Sequence, residues 1–331
     1  MAGSQEGMIP NLLLLMGGIG ALYFGAEWLV RGAARMAREF GVRPIVVGLT
    51  VVSLGTSAPE LVVSIVASLR GSTDIAVGNV LGSNLANIGL ILGLTAIARP
   101  MLVATRVIRR EVPAMLLVTA LLFPLAWDFT LDRWDGGLLL MVLVGYLIFV
   151  FRAAECGEPE PPVQYHEVIE EPPMAVRRTL MLDTGLIVAG GLGLFLGGRV
   201  IVDSGTFMAA HFGMSELVIG LTVVAVGTSL PELATSLVAA IRKEADIAVG
   251  NIIGSNVFNV AAVLGVASLI KPMPFGRHVL HAELPAVMGI SALLFVLMFM
   301  PWKKENRISR FEGIILLFTY LIFGVILIWG H

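Results

Sequence analysis

Two glutamates stand inside otherwise apolar runs, Glu60 in GTSAPEL (Gly55 to Leu61) and Glu232 in GTSLPEL (Gly227 to Leu233). A second polar run follows each, GNVLGSNLAN (Gly78 to Asn87) and GNIIGSNVFN (Gly250 to Asn259). Carboxylates, hydroxyls and amides are hard oxygen ligands, suited to sodium, calcium or magnesium. With no cysteine or histidine in these runs, zinc and copper are a poor match. Thr56, Ser57 and Glu60 fall within one helical turn, as do Thr228, Ser229 and Glu232. Ser83 with Asn87, and Ser255 with Asn259, recur at a four-residue spacing.

The prolines add backbone to this chemistry. Pro59 lacks an N–H and clashes with the carbonyl one turn earlier, at Gly55. A helix should kink or unwind there, freeing carbonyls around Ser53 to Gly55, and near Ala225 in the second copy. Irregular backbone at membrane depth is tolerated only where it is buried in protein or lines a cavity. Two carboxylates among neutral oxygens carry two negative charges, which one calcium ion neutralises and one sodium ion does not. That match favours a divalent ion, and it permits competition by two or three sodium ions or by two protons.

The surroundings are a membrane. Hydrophobic residues make up 57% of the 331-residue chain and charged residues 14%, and the mean hydropathy is +0.90. A soluble domain carries about a quarter charged residues. The apolar residues cluster in stretches of about 20, enough to cross a hydrocarbon core about 30 Å thick. Ten such stretches are present, at 10–32, 42–69, 74–98, 110–127, 134–151, 179–202, 214–241, 246–270, 281–300 and 308–329. The expected fold is an all-α polytopic membrane protein of ten transmembrane helices. The first stretch is read as a retained helix, since it is too long for a signal peptide. The single cysteine, Cys156, has no partner for an intrachain disulfide. An ionised carboxylate in a bilayer is costly, and intramembrane acids are functional by default.

The segment from Gly48 to Pro100 returns without a gap as Gly220 to Pro272, about half the positions identical, at a constant offset of 172 residues (Glu60 to Glu232, Asn87 to Asn259). Five helices per copy is an odd number, so the second copy must enter from the other face. Arg31, Arg35, Arg38 and Arg43 become Asp203, Phe207, Ala210 and Ser215 at that offset, while Phe40 and Gly41 persist as Phe212 and Gly213. The chain therefore divides into a first five-helix repeat (1–151, with its motif at 48–100), a linker (152–178) and a second repeat (179–331, with its motif at 220–272). Inverted repeats mark secondary transporters, with substrate bound near the midplane where the repeats meet.

Of the 22 lysines and arginines, 17 fall in the loops after helices 1, 3, 5, 7 and 9, and 5 on the opposite side. Basic loops collect in the cytoplasm, so both termini are expected outside and the linker inside, with the chain in the cell membrane. The Pro- and Glu-rich linker (GEPEPPVQYHEVIEEPP, Gly157 to Pro173) reads as a solvated tether. Gly48, Gly82, Gly89 and Gly254 are expected at helix contacts. Asn79, Asn84, Asn251 and Asn256 are expected to bond neighbouring backbone, and Asp74 and Asp246 to cap helices.

With these residues in hand, the chain resembles the cation/calcium exchanger superfamily, most closely its prokaryotic sodium/calcium exchangers, whose paired repeats carry G(T/S)S-x-PE followed by GSN-x-x-N/D. The resemblance spans essentially the whole chain. It implies a diamond of helices 2, 3, 7 and 8 around the ions, with long tilted helices 1 and 6 sliding against it. It also implies ligands at Thr56, Ser57, Glu60, Ser83, Asn87, Thr228, Ser229, Glu232 and Ser255, and at the backbone of Ser53 and Ala225. Asn259 departs from sodium-coupled members that have aspartate there; asparagine occurs in proton-coupled relatives.

The expected function is an antiporter that exports Ca2+ against Na+ by alternating access, with Ca2+/H+ exchange as the alternative and a cation channel as a remote one. There is no HExxH or serine-nucleophile motif to suggest an enzyme. The expected partners are these ions and the bilayer, with no organic cofactor, no nucleic acid, and a single chain as the working unit.

Overall fold

The computed structural model describes residues 8–155, 176–212, 225–299 and 306–329. Ten helical segments cross it: α1 (Met8–Glu39), α2 (Pro44–Thr56 and Ala58–Arg70), α3 (Thr73–Ala98), α4 (105–125), α5 (Arg133–Glu155), α6 (Val176–His211), α7 (Ala225–Thr228 and Leu230–Ile241), α8 (Ala245–Ile270), α9 (277–298) and α10 (Arg310–Trp329). Six are unbroken helices long and apolar enough to cross a membrane, and the two parts of α2, bent by 44°, make a seventh. Most of the linker (156–175) and the start of the seventh expected helix (213–224) lie outside the described residues.

Short strands at the membrane faces fix how the halves face. β1 (Met101–Leu102) pairs antiparallel with β4 (Arg307–Ile308), and β2 (Thr130–Leu131) with β3 (Met273–Pro274). The α3–α4 and α9–α10 connections therefore share one face, and the α4–α5 and α8–α9 connections share the other, since α4 separates β1 from β2. The α3–α4 and α8–α9 connections are equivalent in the repeat yet lie on opposite faces, so the repeats are inverted. Both copies repeat their irregularities: π-helical turns at Asn87–Leu92 and Asn259–Leu264, and again at Val107–Glu111 and Val279–Glu283. These wide turns have no residue signature and were not expected from the sequence.

Helices 1 and 6 are longer than expected, at 32 and 36 residues. At 1.5 Å per residue α1 spans about 48 Å, longer than a core about 30 Å thick, and its charged last turns carry Arg31, Arg35 and Arg38. The two helices pack backbone to backbone. A Cβ on Gly25 would lie 2.8 Å from the Leu194 nitrogen and 2.9 Å from the Gly190 oxygen, and one on Gly32 would lie 2.8 Å from the Asp183 oxygen. Small residues permit this approach, and dispersion with weak polar contacts holds it in lipid.

The same device draws the halves together at the centre. A Cβ on Gly48 of α2 would meet the Ile247 oxygen of α8 at 2.9 Å, and one on Gly254 would meet the Leu49 oxygen at 2.7 Å. Gly89 packs against Tyr320 and Ile290, whereas Gly82 meets nothing within 4 Å among the described residues, so its expected packing role is not seen there. Asp74 and Asp246, expected as caps, sit two positions past them in the first turns of α3 and α8, and the N-caps are Ser72 and Glu244.

Candidate cation site

α2 breaks at Ser57 (φ −82°, ψ 4°) and α7 at Ser229 (φ −89°, ψ 4°). Pro59 and Pro231 stand in the first turn of the helix that follows, where a missing N–H costs nothing. Glu60 and Glu232 consequently fall in the first turns of two half-helices, whose positive ends favour negative charge. Both are fully buried.

The two breaks face one another, and their polar groups cross. The Ser57 hydroxyl donates to Glu232 Oε1 at 3.1 Å. The Ser229 hydroxyl reaches Glu60 Oε1 at 3.5 Å and Ser83 Oγ at 3.4 Å, and Ser83 donates to the same Glu60 oxygen at 3.4 Å. Each half thus supplies a serine to the other half's carboxylate. Thr56 Oγ1 lies 3.4 Å from Ser255 Oγ, which places α8 at the same point. Thr228 is buried beside Ser229.

Five buried carboxylate and amide oxygens in the central helices have no hydrogen-bond donor: Glu60 Oε2, Glu232 Oε2, Asn87 Oδ1, Asn256 Oδ1 and Asn259 Oδ1. Buried polar atoms are almost always paired, so each such atom calls for a partner, and a cation is one that carboxylate oxygens accept. Among the described residues no cluster of three or more His, Cys, Asp or Glu could hold a metal. A cation here would meet two carboxylates and neutral oxygens.

Some expected members are placed differently. The Ser53 carbonyl is not freed by the kink, since it accepts the Ser57 amide at 2.9 Å and the Thr56 hydroxyl at 3.3 Å. Pro59 instead deprives Gly55, four residues earlier, of its donor. Ala225 opens the described part of α7, and only its backbone is described. Asn87 is buried with both amide atoms unbonded, and the Asn259 nitrogen donates to Asn84 Oδ1 at 3.0 Å.

Sequence reasoning missed a supporting layer. Asn79 donates to Ser64 Oγ at 3.0 Å and to the Glu60 carbonyl at 3.3 Å. Asn251 donates to Ser236 Oγ at 3.0 Å and accepts the Thr56 hydroxyl at 3.0 Å. Asn251 was expected to bond neighbouring backbone; it holds side chains of two other helices instead. Asn84 bonds backbone, but that of Asn256 in the other half, at 3.2 Å, while Asn256 bonds the Ile252 carbonyl of its own helix at 2.7 Å. The recurrence of Ser64 with Asn79 as Ser236 with Asn251 was the available signal.

Comparisons with known proteins identify the family. The sodium/calcium exchanger protein family model matches residues 10–152 and 182–329. The chain is 39% identical to the putative antiporter CaxA of Alkalimonas amylolytica, covering 95% of this chain and 97% of that one. It is 32% identical to the sodium/calcium exchanger MaX1 of Methanosarcina acetivorans, covering 96% and 99%. A solved structure of the sodium/calcium exchanger from Methanococcus jannaschii superposes with a TM-score of 0.80 at 31% identity, covering 95% of this chain and 97% of that one. The chain belongs to the sodium/calcium exchanger family of membrane antiporters.

Proposed function

We propose that this cation/calcium antiporter exports Ca2+ in exchange for Na+, both ions competing for one set of oxygens around Glu60 and Glu232. The observation that carries the reading is the reciprocal pairing, Ser57 to Glu232 and Ser229 to Glu60, with the second oxygen of each buried carboxylate unbonded. A site assembled from both inverted halves changes shape when one half moves against the other, so the occupying ion selects which face opens. The ligands are the side chains of Thr56, Ser57, Glu60, Ser83, Asn87, Thr228, Ser229, Glu232, Ser255 and Asn259, with carbonyls near the two breaks, at Ser53 or Gly55 and at Ala225. The halves are residues 1–151 and 179–331, joined on the cytoplasmic side by 152–178, with both termini outside and one chain as the working unit.

Ca2+ cancels the two negative charges of the glutamates. If three Na+ replace it, one net charge moves inward per cycle, and 100 mV adds about 2.3 kcal/mol to the drive. A Ca2+/H+ cycle is the second reading, supported by the neutral Asn259 amide that Asn84 holds; two protons would then take the place of Ca2+ on the glutamates, and the cycle would move no net charge.

Calcium flux in reconstituted vesicles under imposed Na+ or H+ gradients separates the two. Uptake driven by Na+ at fixed pH supports sodium coupling, and uptake driven only by a pH gradient refutes it. Glu60→Gln should abolish uptake in either case while the protein remains folded; retained exchange would sink the site assignment.

A further inference from the structure

Several contacts tie the two halves together on one face, the face that carries the α1–α2, α3–α4, α7–α8 and α9–α10 connections and most of the basic residues. Glu27 of α1, 8% exposed, is ion-paired with Arg242 at the end of α7 and with Arg31 on its own helix at 2.7 Å. Arg38, near the end of α1, reaches Glu244 in the α7–α8 turn at 3.4 Å. Arg99, at the end of α3, donates to the Ile241 carbonyl at 2.8 Å. Glu27 lies on α1, which contributes nothing to the cation site, so these charges have another purpose.

The repeat provides an internal comparison. At the 172-residue offset Glu27 corresponds to Arg199, Arg31 to Asp203, Arg38 to Ala210, Arg242 to Arg70 and Glu244 to Ser72. The mirror positions of the first pair are therefore two arginines, and those of the second are alanine and serine. Neither can form an ion pair. Arg199 pairs instead with Asp203 on its own helix at 3.8 Å, both side chains 72% exposed. Among the described residues, the mirror positions of these two cross-half ion pairs form none on the other face.

Alternating access moves one part of an inverted-repeat bundle against the other around a fixed site. The basic face cannot open between α1 and the α7–α8 turn without separating Glu27 from Arg242 and Arg38 from Glu244. The Glu27 side chain is 11% exposed, and opening would strip this largely buried carboxylate of one of its two cations, leaving Arg31 alone to compensate it. We propose that Glu27 with Arg242, and Arg38 with Glu244, form a one-sided latch that holds the basic face shut and biases the unloaded antiporter toward opening at the opposite face. The latch rests on exchange by alternating access and is independent of whether Na+ or H+ is the coupling ion.

The test measures half-saturating Ca2+ separately at each face, in vesicles whose sidedness is assigned with a tag at the C terminus. Glu27→Gln and Arg242→Gln should each lower the constant at the basic face about 5–30-fold, because apparent affinity scales with the population of the competent state. The constant at the opposite face should stay level or rise. The double variant should shift no further than either single one, since both partners belong to one pair. Asp203→Asn, on the other face, should move neither constant. The ratio of the two constants does not depend on the amount of folded protein, so a poorly folding variant still reports. Constants that move together at both faces, or single effects that multiply in the double variant, would overturn the latch alone. A chain that exchanges no Ca2+ at all would overturn the exchange reading and the latch with it.

Discussion

Removing one serine hydroxyl at a time should expose an asymmetry between the two carboxylates. Glu232 Oε1 takes the Ser57 hydroxyl at 3.1 Å, the shortest of the three contacts, whereas Glu60 Oε1 shares two longer ones, Ser83 at 3.4 Å and Ser229 at 3.5 Å. Ser57→Ala deletes the short bond. Thr56, on the same turn, also reaches Glu232, but its one proton is shared with the Ser53 carbonyl and Asn251, so it covers the carboxylate only in part. A hydrogen bond to a charged group contributes about 1.5–3 kcal/mol, so calcium affinity should fall about 10–150-fold, at about 1.4 kcal/mol per tenfold. Ser229→Ala deletes one of two weak contacts and leaves Ser83 to cover the same oxygen. Its cost should stay below about 1 kcal/mol, or about fivefold. Equilibrium calcium binding to the purified protein by calorimetry measures both. Equal losses in the two variants, or a larger loss in Ser229→Ala, would refute the reasoning that bond geometry in this structure governs ion affinity.

Three further outcomes are expected. Asn251→Leu removes the acceptor that holds Thr56 and should weaken calcium binding about 5–10-fold, by about 1–1.4 kcal/mol, measured by the same calorimetry; unchanged affinity would show that Thr56 needs no positioning. Gly25→Ala places a methyl group 2.8–2.9 Å from α6 backbone and should lower stability by about 1–3 kcal/mol, seen as a reduced thermal midpoint in detergent. Lys243 adopts a left-handed conformation (φ 68°) where the first repeat has Gly71 (φ 84°). Lys243→Gly should therefore raise stability by about 0.5–1 kcal/mol, the left-handed penalty less the entropy lost by glycine; a lowered midpoint would mean the lysine side chain contributes more than its backbone costs.

The sequence by itself determined the membrane class, the ten crossings, the inverted duplication and the two glutamates. Those properties are written locally, in hydrophobic length, in the count of helices per repeat, and in charges placed where water is excluded. It also placed both breaks to within a turn, because a proline without an N–H disrupts the helix one turn before it. The breaks fall at Ser57 and Ser229, two residues beyond the glycines where they were expected. Tertiary structure alone decided which groups meet across the centre. Ser57 serves Glu232 and not its own Glu60, because two half-helices from opposite faces converge at their breaks. Asn251 serves Thr56, and the Ser53 carbonyl stays bonded where the kink was expected to free it. Partners nearly two hundred residues apart leave no local pattern, since their distance is set by glycines that let α2 and α8 touch. The one-sided ion pairs of Glu27 and Arg38 belong to the same category. Their charges are visible in the chain, but only the approach of α1 to the α7–α8 turn makes them pairs.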